Sequence, residues 1–192
     1  EVSDPVEGDQ RLRQINATVS GASSVLHVPK LASIIDQTFD SVWSISNAGI
    51  IDASALKAVE GTSIKLASAS VQLPELKSLF SGRLDLASDG VLSADNLASI
   101  NASSLLVSGG SLLSLPGVKS YSHASTSNSQ HVFLQAKSAN SRLELPNLES
   151  ISGGTHYNSR IFVQAEAGGV VDLSKVKQIV DPVGGNMSYR SI

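Results

Sequence analysis

The sequence predicts an all-β fold: a single-stranded, right-handed parallel β-helix (β-solenoid) of about seven coils, each with 20–30 residues. Three observations support this prediction. The composition is rich in serine, leucine and glycine, a nine- to ten-residue pattern recurs seven times, and a short strand pattern lies between the copies. In such a fold, successive coils stack about 4.8 Å apart and share one elongated core.

The composition favours β structure with a serine-rich surface. The 192 residues include 35 Ser, 22 Leu and 15 Gly, whereas charged residues make up 16% and aromatic residues 4% of the chain. A helical bundle needs more Glu, Lys and Arg than this. The net charge is −3 and no Lys/Arg cluster occurs, so we expect no nucleic-acid partner. No apolar run approaches ~18 residues, so we expect no membrane span.

A repeated pattern sets the coil period. It reads apolar, polar, apolar, Pro or small, any residue, Leu/Val, two polar residues and Ile/Val/Leu, and its clearest copy is RLELPNLESI at residues 142–151. The central Leu or Val of the seven copies falls at Leu31, Leu56, Leu76, Leu97, Val118, Leu148 and Val176. The spacings between these residues are 25, 20, 21, 21, 30 and 28. Proline, β-branched residues and flanking Ser and Gly favour a strand over a helix in each copy.

A second short strand, in which apolar and polar residues alternate, lies between the copies. Its copies begin at Val42, Ile64, Leu84, Leu105, Val132 and Ile161. Small residues follow where the chain turns into the next copy, namely Gly49, Ala69, Gly90, Gly110 and Gly169. We therefore predict two short strands and two turns in each coil.

The alternation also predicts which side chains face the core. Leu143, Leu145 and Leu148 are predicted to point inward, and the residue between the first two to point to solvent. This solvent column reads His27, Asp52, Gln72, Ser93, Ser114, Glu144 and Asp172. In the second strand, the predicted outward column is Trp43, Lys65, Asp85, Leu106, Phe133 and Phe162. The last three would form an apolar strip, which is typical of a binding surface or of a surface covered by other parts of the protein.

The strings ELPNLESISGG and SLLSLPGVKSY resemble the repeats of receptor L-domains and of fungal cell-wall proteins with similar repeats. They also resemble the leucine-rich β-solenoid stretches of very large bacterial surface proteins. The similarity covers residues 15–180 and implies a solenoid architecture with an extracellular or cell-surface location. The asparagine of the LxxLxLxxN repeat is absent, so a leucine-rich-repeat horseshoe is not expected.

The whole chain, residues 1–192, is expected to form one β-solenoid domain. Residues 1–14 are a polar lead-in, residues 15–180 hold the repeats, and residues 181–192 form a C-terminal extension. The extension offers no amphipathic helix that would cap the stack, and open solenoid ends are normally capped. We therefore expect the domain to belong to a larger protein whose neighbouring domains are its partners.

The two longest coils carry the candidate ligand site. Their extra residues lie at 122–130 and 152–159, before equivalent strands, so stacking places them side by side and makes His131 and Arg160 neighbours. The candidate ligand-binding residues are His123, His131, Phe133, His156, Tyr157, Arg160 and Phe162. An apolar floor with His, Tyr and Arg suits a glycan or a protein partner. The alternative is that these are ordinary surface loops packed on the phenylalanines.

Two functions stay open at this point. The first is a non-enzymatic repeat module for scaffolding, adhesion, or carbohydrate or protein binding. The alternative is a carbohydrate-active enzyme on a β-helix, a polysaccharide lyase or a glycoside hydrolase, and His131, Tyr157 and Arg160 would suit a lyase. We assign no catalytic residue, because carboxylates are scattered and only Glu144 and Asp172 share a column in adjacent coils. The chain has no cysteine and its histidine spacing matches no ligand rule, so we expect neither metal nor cofactor.

Overall fold

The structure is a computed structural model that describes residues 2–4, 14–38, 40–123 and 127–192. In this part of the chain there are 21 short strands, numbered β1 to β21 in chain order, and no helix. All strand pairings are parallel. The predicted all-β parallel β-helix is confirmed.

The strands lie on three faces of the solenoid, which we call faces A, B and C. Face A is formed by β2 (Ala17–Ser20), β5 (Ser41–Ser46), β8 (Thr62–Ala67), β11 (Arg83–Ala87), β13 (Ser104–Ser108), β16 (His131–Lys137) and β19 (Arg160–Glu166). Face B is formed by β3 (Val25–His27), β6 (Ile50–Asp52), β9 (Ser70–Gln72), β12 (Val91–Ser93), β14 (Leu112–Ser114), β17 (Arg142–Glu144) and β20 (Val170–Asp172). Face C is formed by β1 (Val2–Asp4), β4 (Ser33–Asp36), β7 (Ala58–Glu60), β10 (Ser78–Phe80), β15 (Ser120–Ser122), β18 (Ser150–Ser152) and β21 (Gln178–Val180).

The face C strands were not predicted, because the sequence pattern indicated two strands in each coil. Apart from β1, they come from the last residues of the repeat copies, and the copy at residues 91–100 contributes only an isolated bridge between Ser99 and Ser78. After the face B strand the chain turns at the Pro or small residue, and a backbone hydrogen bond such as Leu148 N to Leu145 O at 3.1 Å closes the turn. The chain then extends again for three or four residues, which bury Ile34, Val59 and Leu79 from face C.

The core consists of stacked aliphatic columns. Leu143, Leu145 and Leu148 have no exposed surface, as predicted. The central Leu/Val column is also buried in the middle of the stack, at Leu56, Leu76, Leu97 and Val118. A fully buried side chain of this size stabilises the fold by about 1.5–3 kcal/mol, so these columns are the main source of stability.

The predicted outward position of Trp43 is wrong. Trp43 pairs with Ile64 of β8, so it lies in the core column of face A and is only 5% exposed. Two adjacent apolar residues in β5 make the alternation ambiguous, and the register that is observed buries the larger indole together with Ile45. Lys65 is exposed, as predicted, and Asp85 is half-buried.

The predicted apolar strip on face A is interrupted at its first member. Leu106 lies beside Gln135, not beside Phe133, because β16 begins two residues earlier than β13 in the aligned sheet. Phe133 and Phe162 are register partners, as predicted. The strip is therefore reduced to two aromatic side chains on the last two strands of face A.

Residues near both ends of the sequence join the stack. Val2–Asp4 forms β1 and pairs with β4, whereas most of the predicted lead-in lies outside the described residues. Residues 181–192, predicted as an extension, follow the course of the preceding coil, and Ile161 N donates to Ser191 O at 3.0 Å. This second segment contributes to the candidate site.

Candidate functional site

Three chain segments stack at the corner between faces C and A, and we call them together the tiered corner: residues 127–130, 153–160 and 181–190. Ser129 N donates to Tyr157 O at 2.8 Å, and Asn158 N donates to Ser188 O at 3.0 Å. The two predicted insertions therefore lie side by side, with residues 124–126 of the first outside the described part of the chain. The third tier was not predicted.

The three tiers make the same turn. Ser129, Asn158 and Tyr189 have φ angles of 58°, 52° and 59°, and each lies two residues before the start of a strand or of an equivalent bridge. The residues that directly follow these three, Gln130, Ser159 and Arg190, are all polar, which is the sequence signal that the three turns share. The corner is thus a repeated element of the fold.

His131 and Arg160 are register neighbours at the start of β16 and β19, as predicted. His131 is exposed, and its ring meets the ring of Phe162 edge-on with centroids 5.6 Å apart. Arg160 is half-buried, and its Nε donates to the carbonyl of Tyr189 at 3.3 Å. These contacts fix both side chains at the outer margin of the tiered corner.

Tyr157 is 36% exposed and meets Tyr189 of the next tier edge-on, with ring centroids 5.7 Å apart. Tyr189 is 69% exposed and was missed in the sequence prediction, because it lies in the segment that was assigned to the extension. His156 is half-buried, and its carbonyl accepts a hydrogen bond from the Ser159 hydroxyl at 2.8 Å. The two tyrosines are therefore the most accessible aromatic groups of the corner.

His123 does not reach the surface. Its ring is fully buried, and Nε2 lies 3.0 Å from the carbonyl oxygen of Gln130. Nδ1 has no hydrogen-bond partner among the described residues, and a Cβ built on Gly154 would lie 3.1 Å from it. His123, a candidate ligand-binding residue in the sequence, thus lies in the packing beneath the loops.

The outer surface of face A continues from the corner with polar pairs. Gln135 and Gln164 form an amide hydrogen bond of 2.8 Å, and the Lys137 ammonium lies 3.9 Å from the Glu166 carboxylate. These pairs follow from the register of β16 and β19, and the sequence prediction did not include them. They frame the aromatic pair with hydrogen-bonding groups.

The geometry of the aromatic pair restricts what it can bind. The rings of Phe133 and Phe162 stack with centroids 5.0 Å apart and planes 13° from parallel. One face of each ring is thus occupied by the other ring, and His131 packs against Phe162 as well. A sugar that stacks on an aromatic residue needs an open ring face, so this pair offers a sugar less than its composition suggested.

The two carboxylates that share a column in adjacent coils are both engaged in polar contacts. Glu144 and Asp172 are register partners on face B, and the Arg142 guanidinium lies 2.8 Å from Glu144. The backbone N–H and the hydroxyl of Ser174 hold the pKa of Asp172 below its usual value. These contacts are typical of the solvated face of a sheet.

Among residues 2–4, 14–38, 40–123 and 127–192, no cluster of three or more His, Cys, Asp or Glu residues has the geometry to hold a metal ion. In that part of the chain, no helix is long and apolar enough to cross a membrane.

The resemblance of the repeats to receptor L-domains and surface-protein solenoids stays a prediction, because the parallel strand topology does not distinguish among solenoid families. The chain matches no protein-family model, no curated protein sequence and no solved structure at a significant level.

Proposed function

We propose that the chain is a non-enzymatic repeat module of an extracellular or cell-surface protein, in which the solenoid is a scaffold and the tiered corner contacts a partner protein. The observation that carries this proposal is the clustering of His131, Tyr157, Arg160 and Tyr189 on three hydrogen-bonded tiers. Tyrosine and arginine are enriched among the residues that dominate protein–protein binding energy.

The scaffold role is supported by the continuity of the core. The inward residues of faces A, B and C are almost fully buried from Ile64 to Ile151, and each coil is bonded to the next along at least one face. Tight packing of this kind transmits load and resists local deformation. A corner built on such a frame presents its side chains in a fixed arrangement, which lowers the entropic cost of binding.

A protein partner fits the corner better than a glycan. The accessible groups are two tyrosines, an exposed histidine and a half-buried arginine, while the Phe133 and Phe162 rings cover each other. Tyr and Arg combine apolar contact area with directional hydrogen bonds, which is the usual chemistry at the centre of a protein interface. The serine-rich surface and the resemblance of the repeats support a location outside the cell.

The proposal is tested by measuring binding of the purified chain to a panel of purified cell-surface and matrix proteins, with a glycan array in parallel. We expect a protein ligand whose affinity falls by about tenfold or more with Tyr157→Ala and with Arg160→Ala. Lys65→Ala, an exposed change on face A away from the corner, is the matched control and should leave the affinity unchanged. Circular dichroism melting verifies that the variants keep the fold.

Two outcomes would contradict the proposal. In the first, the ligand binds and both corner variants bind it as well as the unmodified chain does. In the second, incubation with anionic and neutral polysaccharides releases shorter products, which would support the alternative of a carbohydrate-active enzyme. If the only ligand is found on the glycan array and the corner variants do not bind it, the tiered corner is still the binding site, but its partner is a glycan and not a protein.

A further inference from the structure

Face B has a gap between two successive coils. Its strands form a two-stranded sheet of β3 and β6 and a five-stranded sheet from β9 to β20, and no pairing joins β6 to β9. The neighbouring coils are joined there on the other two faces, since β5 pairs with β8 and β7 pairs with β10. The backbone ladder of face B is therefore interrupted here, as the ladder of face C is between β10 and β15.

The missing backbone bonds can be named from the neighbouring coils. Val28 N donates to Asp52 O at 2.8 Å, and Leu73 N donates to Ser93 O at 2.9 Å. The equivalent bond in the gap would run from Ala53 N to the carbonyl of Gln72, and it is not formed. The ladder lacks this bond at the end of face B that leads into the turn, and it lacks the equivalent bond of Ala94 between β12 and β14 as well.

Trp43 lies beneath the gap. It occupies the face A core column in which the next coils have Ile64, Leu84 and Leu105, and it is the only tryptophan of the chain. A small apolar void lies between the two coils, lined by Trp43, Ile45, Ile51, Ala53, Leu56, Ile64, Val71 and Leu73. The core is therefore less tightly filled under this part of face B than a fully packed core would be.

On the outside, the gap opens as a cleft of about 340 Å³ lined by Ile50, Ile51, Asp52, Ser54, Ser70, Gln72 and Pro74. Its size lies at the lower end of the ~300–1,000 Å³ that is usual for small-ligand sites. Trp43 Nε1, inside the gap, is buried and has no hydrogen-bond partner among the described residues. The cleft thus combines side chains that are accessible from solvent with an opened coil interface beneath them.

The charges of the cleft select a neutral ligand. The lining contains one carboxylate, Asp52, whose Oδ2 lies 2.8 Å from Nδ1 of His27, and no lysine or arginine. An anionic ligand would find no cationic residue in the lining, and a cationic ligand would compete with His27 for the carboxylate. The groups that remain are two hydroxyls, one amide and three apolar residues.

We propose that this cleft binds a single neutral sugar unit. Asp52 would accept hydrogen bonds from sugar hydroxyls, and the Gln72 amide would both donate and accept. Ile50 and Pro74 provide apolar surface for the C–H side of the ring, and Ser70 adds a hydroxyl. The site lies on face B, apart from the tiered corner, and does not depend on the function proposed for that corner.

The test uses the isotope-labelled full chain and records amide chemical shifts while glucose, galactose, mannose or N-acetylglucosamine is added. Glucuronic acid and glucosamine serve as charged analogues. We expect one or more neutral sugars to shift the amides of residues 50–54 and 70–73, and the charged analogues to shift them less. Asp52→Asn and Gln72→Ala should each weaken this binding by about tenfold or more.

Matched variants separate this site from other effects. Asp85→Asn makes the same change at another ion-paired carboxylate, 2.7 Å from Arg83 on face A, and should leave sugar binding unchanged. Trp43→Leu changes a core residue beneath the gap and none of the lining of the cleft, so this variant should bind the sugar as the unmodified chain does.

The proposal is overturned if no neutral sugar shifts these amides, if the charged analogues bind as well as the neutral sugars, or if Asp52→Asn and Gln72→Ala bind like the unmodified chain. The Asp52 and Gln72 substitutions lie on the surface and test the site even if Trp43→Leu does not fold. Arg160→Ala should not affect this binding, which keeps the result distinct from the test of the tiered corner.

Discussion

The rings of Phe133 and Phe162 stack across adjacent coils, with centroids 5.0 Å apart and planes 13° from parallel. The two residues are register partners in a parallel sheet, so the coil spacing itself brings the rings into contact. Both are half-buried on the outer surface of face A. The pair therefore links β16 and β19 through side chains in addition to the backbone ladder.

We expect this stack to contribute measurable coupling. Phe133→Ala, Phe162→Ala and the double variant form a double-mutant cycle, and the coupling free energy should be about 0.5–1.5 kcal/mol. Urea unfolding of the four proteins gives the values. Leu106 is the control, since it lies beside Gln135, and a cycle between Leu106 and Phe133 should give a smaller coupling. Equal coupling in both cycles would mean that the stack has no special role.

Which residues of the face B strands point into the core could be predicted, because a polar residue separates two apolar ones, as in Leu143, Glu144 and Leu145. Only one of the two registers buries the apolar pair. In β5 the neighbours Val42 and Trp43 are both apolar, so the pattern allows both registers. Packing against the adjacent coil decides between them, and this information is not contained in the local sequence.

The candidate site shows the same limit. The contact between His131 and Arg160 was predictable, since both directly precede strands with clear alternation. Tyr189 was not, because its segment is followed by only three residues and so lacks the strand pattern that identifies a coil. The buried position of His123 depends on how the tiers pack, and residue type alone does not indicate it.

Arg190 should be a structural anchor of the tiered corner. Its guanidinium group is 1% exposed and donates to the carbonyls of Gly154, Gly184 and Pro182, with Asp181 at 3.7 Å. Arg190→Ala removes the donor from all three carbonyls, two of which are in part-buried hydrogen bonds, and we expect a loss of about 1–3 kcal/mol of local stability. Hydrogen exchange of the amides in residues 153–160 measures it.

A surface arginine provides the control for that prediction. Arg142→Ala removes an exposed ion pair with Glu144, 2.8 Å away, and should cost about 0–1 kcal/mol. If Arg190→Ala changes the exchange of residues 153–160 no more than Arg142→Ala does, Arg190 does not anchor the corner.

Asp36 should make stability depend on pH. Its carboxylate is fully buried, which raises its pKa, but hydrogen bonds from the side chains and backbone N–H groups of Thr38 and Ser41 outweigh this effect and lower the pKa to about 2. Because the folded pKa is below the unfolded one, the contribution is complete above about pH 4. It is lost as the pH falls towards 2, and amounts to about 2 kcal/mol.

Urea unfolding at pH values between 2 and 6 measures this contribution. Asp36→Asn should be less stable at pH 6 and should lose stability less steeply as the pH falls. The same slope in the variant and the unmodified chain would show that other carboxylates cause the acid sensitivity.

The corner between faces A and B should respond in opposite ways to two small changes. Gly90 lies where this corner turns, and a Cβ built on it would be 2.7 Å from the carbonyl oxygen of Leu66 in the preceding coil. Gly90→Ala must therefore displace backbone, and we expect it to destabilise the fold by about 1–3 kcal/mol. At the equivalent position of the next coil, Ser111 already has a side chain, and its hydroxyl is buried without a hydrogen-bond partner among the described residues.

Ser111→Ala removes that buried hydroxyl and keeps the Cβ, so it should leave the free energy of unfolding unchanged or raise it slightly. Thermal melting of the two variants beside the unmodified chain provides the comparison. A lower melting temperature for Ser111→Ala would mean that the hydroxyl has a partner in solution, such as a bound water. A Gly90→Ala variant as stable as the unmodified chain would show that the coils can separate at this corner without cost, against the close packing that the rest of the core shows.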